Sequence, residues 1–183
     1  GGNIVLFDVK DNEITQKAKK KLEHEVACIT LSDSSIDESN QKNVDADGDV
    51  EMKQDEDKKP SENMEIAAIG LWTSVSICVL RLPSLDLLQK EALGGETLPR
   101  SLVFTKFDNN SYLLVGLGDG ILLSFLLGNN INVEKENTVE NQNENEKTFF
   151  KEKKKVSLGT QPVSLSTFTT KGVKNVFAAC DRP

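Results

Sequence analysis

The sequence predicts an all-β fold, a partial β-propeller of WD-like four-stranded blades. It comprises two complete blades, half a blade at each end and two disordered insertions. Three observations predict it. The apolar stretches are short and rich in branched and aliphatic residues, a strand unit recurs at the blade period, and the polar residues cluster in two separable segments.

The strands follow in order. Asn3–Val9 (NIVLFDV) is apolar, and the more polar Glu13–Leu22 suits an outer strand. Glu25–Leu31, Glu65–Trp72 and Val75–Leu82 are apolar, and Leu85–Ala92 leads into a Gly94-Gly95 turn. Ser101–Phe107, Tyr112–Leu117 and Ile121–Leu127 repeat the pattern, and Lys153–Leu158, Val163–Thr169 and Asn175–Cys180 complete it. Their length and the flanking Gly, Asn and Pro favour strands over helices. No amphipathic helix emerges.

The unit begins at Glu25, again near Pro99-Arg100-Ser101, and again at Gln161-Pro162-Val163. With the insertions removed, both spacings come to about 40–45 residues, the period of WD-type blades. In each unit the second strand ends in a small or polar turn: Trp72-Thr73-Ser74, Gly118-Asp119-Gly120 and Asp181-Arg182-Pro183. Central strands covered by both neighbouring blades should be apolar, and outer strands polar. An open array of this kind leaves the apolar faces of its terminal blades exposed. The chain opens Gly1-Gly2 without Met, so a fragment of a longer protein is expected.

The charge is uneven. Residues 33–65 carry twelve acidic residues and four lysines, a net of −8 against −7 for the whole chain, so the remainder sums to +1. The acidity belongs to one segment. That segment, 33–64, and the Asn/Glu-rich 128–150 have too little apolar surface to offset ordering entropy, and both read as disordered loops. The division that results is 1–32, 33–64, 65–127, 128–150 and 151–183, with propeller strands in the first, third and fifth parts. The basic residues form only short runs, Lys19–Lys21 and Lys153–Lys155, not the basic stripe of a nucleic-acid binder. Cys28, Cys78 and Cys180 are far apart and set among apolar residues, so reduced, buried thiols and a cytosolic or nuclear compartment are expected. No stretch reaches the eighteen apolar residues of a membrane span.

Several motifs invite a chemical reading. Gly116-Leu117-Gly118-Asp119-Gly120 resembles a phosphate loop, but a strand and not a helix follows, so it reads as a hairpin turn. Asn43, Asp45, Asp47 and Gly48 begin like a calcium loop, yet its twelfth position is Gln54 instead of the bidentate Glu. His24, the only histidine, has no nucleophile motif around it and reads as a structural residue. Asn109-Asn110-Ser111 fits a glycosylation acceptor, whose use the cysteine pattern argues against. Trp72, the only tryptophan, stands at a blade turn and is either core packing or an aromatic anchor on a propeller rim. Arg81 and Arg100 are the further candidates for the same protein-binding face. No catalytic, cofactor-binding or metal-binding residue is expected, and no enzyme.

The segments EHEVACITL, AIGLWTSVSICVLRLPSLDLLQKEALGGETLPRS, YLLVGLGDGILLSF, KKKVSLGTQPVSLSTF and NVFAACDRP together resemble the large-subunit family of damaged-DNA-binding proteins, at the middle of its three propellers. IGLW, GGE–PRS, LGDG, LGTQP and DRP occur in order, and the two insertions depart from the usual pattern. The resemblance implies a non-catalytic adaptor of cullin-4 ubiquitin ligases, acting in the DNA damage response in nucleus and cytoplasm. It implies that this propeller docks the N-terminal region of the cullin, while the rest of the triple-propeller chain receives WD-repeat substrate receptors. Damaged DNA would be met only indirectly, through a partner subunit. The sister families, the large splicing factor 3b subunit and the largest cleavage and polyadenylation specificity subunit, fit GLW and GGE–PRS less well.

Overall fold

A computed structural model describes residues 1–32, 65–108, 110–128 and 149–181. The acidic segment, most of the Asn/Glu-rich segment, the calcium-loop look-alike and Asn109 lie outside the described residues. Twelve strands form within them: β1 (Asn3–Lys10), β2 (Glu13–Lys21), β3 (Val26–Leu31), β4 (Ile66–Leu71), β5 (Ser76–Arg81) and β6 (Leu87–Ala92) come first. β7 (Pro99–Phe107), β8 (Asn110–Leu117), β9 (Ile121–Leu127), β10 (Phe150–Ser157), β11 (Ser164–Thr170) and β12 (Val173–Ala179) follow. They make two four-stranded antiparallel sheets, β3-β4-β5-β6 and β7-β8-β9-β10, between two hairpins, β1-β2 and β11-β12. This is the all-β, partial-propeller arrangement that the strand period predicts.

The first strands of successive units lie side by side, β3 against β7 and β7 against β11, so they form the inner edge of the array. The long apolar runs of β4, β5 and β8 follow from this stacking. Successive residues of a strand point to opposite faces, and here both faces are covered. Ile66, Ala68, Ile77 and Val79 pack on the next sheet, against Leu113, Val115 and Phe125. Ile69, Leu71, Cys78 and Leu80 face the other way, onto Ile4, Ala18 and Leu22 of the first hairpin. Val103 and Leu114 meet Val163 and Leu165 of the last hairpin. The outer strands β2 and β10 are largely exposed and rich in lysine, a composition that discourages edge-to-edge pairing.

The repeat extends to backbone irregularities. The pairing of β3 with β4 slips between Val26 and Cys28, and that of β7 with β8 slips between Pro99 and Ser101, the same place in both blades. Each slip inserts one extra residue, Ala27 or Arg100, which bends the strand entry. Two-residue turns close both hairpins. Asp11 and Asn12 take φ of 51° and 65°, and Lys171 and Gly172 take 52° and 77°, the left-handed pair that matches strand twist.

One sequence reading is corrected. Phe149 and Phe150 fall in the 128–150 segment read as disordered, yet they are 4% and 9% exposed and belong to the core. Phe150 starts β10, three residues before the expected Lys153, and its ring centroid lies 4.9 Å from that of Phe125. Burial of a phenylalanine outweighs the polar character of the preceding stretch. The glycine run is a turn, with β9 after it, but only Gly120 has positive φ, at 83°. Gly116 serves a different need: a Cβ there would lie 2.7 Å from the Val163 carbonyl oxygen. Gly70, at the same strand position one blade earlier, has Pro99 Cγ 2.9 Å from its missing Cβ. In both blades a glycine on the second strand admits the strand entry of the next blade.

Candidate functional site: the turn rim of the blades

The turns between second and third strands gather at one end of the sheets, each tied to the segment that enters its own blade. In the first complete blade, His24 Nδ1 and Thr73 Oγ1 are 2.8 Å apart, and the Trp72 amide donates to the Glu25 carbonyl at 2.7 Å. In the second, Thr97 Oγ1 donates to Asp119 Oδ2 at 3.1 Å, and the Gly118 amide donates to the Leu98 carbonyl at 3.1 Å. In the third unit, the amide and hydroxyl of Thr160 both donate to the Asp181 carboxylate at 2.6 Å, and the Gln161 amide donates at 3.1 Å. The second and third ties are both Thr–Asp and the first is His–Thr, at the same place in each unit. The tie fixes the rim as a rigid surface, the requirement for a loop-built binding site. His24 is thus a hydrogen-bonded structural histidine.

These donors hold the Asp181 carboxyl well below its ordinary value of 3.8, the two Thr160 bonds contributing most. A depressed folded-state value means that the carboxylate contributes stability above the ordinary value and loses it as pH falls through the folded one. Asp181→Asn is therefore expected to lower the melting temperature at neutral pH, with the gap to the unmodified protein closing as pH drops below 3.8. Thermal melts of both across pH 2–7 check this.

Trp72 stands on the first of these turns, 45% exposed, so it is not core packing. Arg100 is exposed on the bulge at the start of β7, at the same end of the array, next to the Pro99 that abuts Gly70. Arg81 is elsewhere. It pairs with Ile66, whereas Leu71 beside Trp72 pairs with Ser76, so Arg81 lies at the opposite end of the β4-β5 hairpin. It is half-buried, and its Nε has no hydrogen-bond partner among the described residues. Register decides this, because side chains five pairs apart along a ladder lie roughly 17 Å apart. The structure brings Trp72 and Arg100 to one rim and leaves Arg81 out.

Of the three thiols expected to be buried, Cys78 is buried, whereas Cys28 and Cys180 are half-buried. Burial pushes Cys28 up to about 11, against smaller opposing effects of the Gly70 amide and Arg100. Burial likewise raises Cys78. Cys180 donates to Asp181 Oδ1 at 3.1 Å and to the Gln161 carbonyl at 3.2 Å. Among the described residues, no group of three or more His, Cys, Asp and Glu could hold a metal ion. No described helix is long and apolar enough to cross a membrane.

Stacked four-stranded blades with a rigid turn rim define one repeat segment of a β-propeller. The chain belongs to the family described as the RSE1/DDB1/CPSF1 second beta-propeller, whose model matches residues 1–183. It is similar to DNA damage-binding protein 1 of Oryza sativa subsp. japonica, at 39% identity over the whole chain. It is also similar to DNA damage-binding protein 1a of Arabidopsis thaliana, at 37%, and to DNA damage-binding protein 1 of Solanum lycopersicum, at 35%, each again over the whole chain. The chain spans 13% of the length of these relatives.

Proposed function

We propose that this chain is a non-catalytic protein-docking segment of a multi-propeller adaptor, working in the nucleus and cytoplasm to join a cullin-4 type scaffold to substrate receptors in a ubiquitin ligase of the DNA damage response. Membership of the family and the damage-binding names of its relatives support the adaptor class. Contact with damaged DNA is indirect in this reading, through a partner subunit. The observation that carries the docking role is Trp72, a large ring left 45% exposed on a turn whose backbone is tied down at 2.7 Å. Rigid exposed aromatics are the usual anchors of protein interfaces, with arginine as a common companion, and Arg100 supplies one at the same end.

Trp72→Ala in the full-length protein is expected to weaken cullin binding about 30-fold, the scale of a hot-spot residue. Arg81→Ala, at the opposite end, should leave binding unchanged. Co-purification and titration with the cullin N-terminal region check both. Recovery of no cullin would sink the reading, and recovery of splicing or polyadenylation complexes instead would favour a scaffold of the sister type.

A further inference from the structure

Two clefts occupy equivalent places in successive blades, each between the end of one outer strand and the following sheet. The first, about 260 Å³, has Leu71, Cys78 and Leu80 as its floor, Leu87 on its wall, and Lys21 and Lys90 at its mouth. The second, about 300 Å³, has Leu117 and Leu123 as its floor, Ile121 on its wall, and Lys153 and Lys155 at its mouth. Gly94 and Gly95, at φ of 78° and 81°, form the bare side of the second, with nothing within 4 Å of where their Cβ atoms would be.

One lysine at each cleft is used by the fold. Lys20 Nζ donates to the Leu85 carbonyl at 2.6 Å, and Lys153 Nζ donates to the Leu93 carbonyl at 2.8 Å while lying 5.5 Å from the Phe125 ring centroid. Lys21, Lys90 and Lys155 are exposed and make no hydrogen bond or ion pair among the described residues. Each cleft also has one acid. Glu23 borders the first, and Asp119 in the second already accepts from Thr97 and from the Ile121 amide. The balance at each mouth is positive.

We propose that the two inter-blade clefts bind acidic, apolar-alternating peptide segments of a partner protein, an apolar side chain filling each cleft and carboxylates pairing with Lys21, Lys90 and Lys155. An extended peptide alternates its side chains between two sides, so apolar residues can point inward while their acidic neighbours meet the lysines. Charge complementarity selects the acidic partner, and the buried leucine floor selects the apolar anchor. Outer-strand lysines also guard sheet edges, but that role needs no apolar cleft beside them.

The test uses the full-length protein and a fluorescent decapeptide of alternating leucine and glutamate, read by anisotropy. Leucine–lysine and serine–glutamate decapeptides serve as comparisons. Only the leucine–glutamate peptide is expected to bind, more weakly as salt rises, and about tenfold more weakly to the Lys90→Glu/Lys155→Glu variant. Lys90→Gln/Lys155→Gln, which removes charge without reversing it, should give an intermediate loss. Equal binding of the leucine–lysine peptide, insensitivity to both variants, or no binding of the leucine–glutamate peptide would overturn the proposal. Trp72 lines neither cleft, so Trp72→Ala should leave peptide binding intact.

Discussion

Phe125→Ala is expected to destabilise the complete propeller by about 3–5 kcal/mol, the range for truncating a fully buried aromatic. Phe125 is 1% exposed and lies where the two complete blades meet. Its ring centroid is 4.9 Å from that of Phe150 at an interplanar angle of 49°, and Phe149 stands edge-on to Phe150 at 5.4 Å. Removing the ring leaves a cavity lined on one side by β5 residues and on the other by β10, in separate sheets that cannot collapse together without breaking their own ladders. Partial relaxation is the reason that cavity cost adds to the lost transfer energy. Lys153 would also lose the ring beneath its ammonium. Val156→Ala, on the outer strand and 52% exposed, is the control, with an expected change within about 0.5 kcal/mol. Chemical denaturation of the intact propeller carrying either change checks the contrast.

Gly116→Val is expected to cost about 3 kcal/mol, at the upper end for overpacking. The first added atom would lie 2.7 Å from the Val163 carbonyl oxygen and 3.0 Å from Val163 Cβ. The oxygen cannot simply withdraw, because the Val163 amide donates to the Leu117 carbonyl at 3.0 Å and holds that segment in place. Adding Val163→Ala should restore only part of the loss, since the backbone clash persists. A double-mutant cycle in the same denaturation assay measures that coupling. Full rescue by Val163→Ala would place the conflict in the side chain and refute the close backbone approach.

Much of this architecture can be read from the chain. The runs IAAIGL and SICVLR are apolar at every position but one or two, which suits strands covered on both faces, and the structure covers both. Phe149 and Phe150 escaped because they follow a long polar stretch, and their partner Phe125 lies across that stretch on β9. The rim was partly legible. Trp72 at a turn could be singled out, but its distance from Arg81 could not, because the two are only nine residues apart and the β5 ladder carries Arg81 to the far end. The polar ties of the rim were missed because their partners lie 49, 22 and 21 positions apart and the first, His24–Thr73, departs from the Thr–Asp pairing that Thr97–Asp119 and Thr160–Asp181 share. A comparison of units by position would have found them, with residue type set aside.

Local composition and period were enough for strand identity and blade count, since alternation, turn residues and burial preference act within a few residues. Tertiary structure alone decided which strands share a rim, which glycines exist for contact instead of conformation, and where lysines border apolar clefts. Those features arise between blades, where residues tens of positions apart meet at distances set by stacking, and no local pattern encodes that meeting.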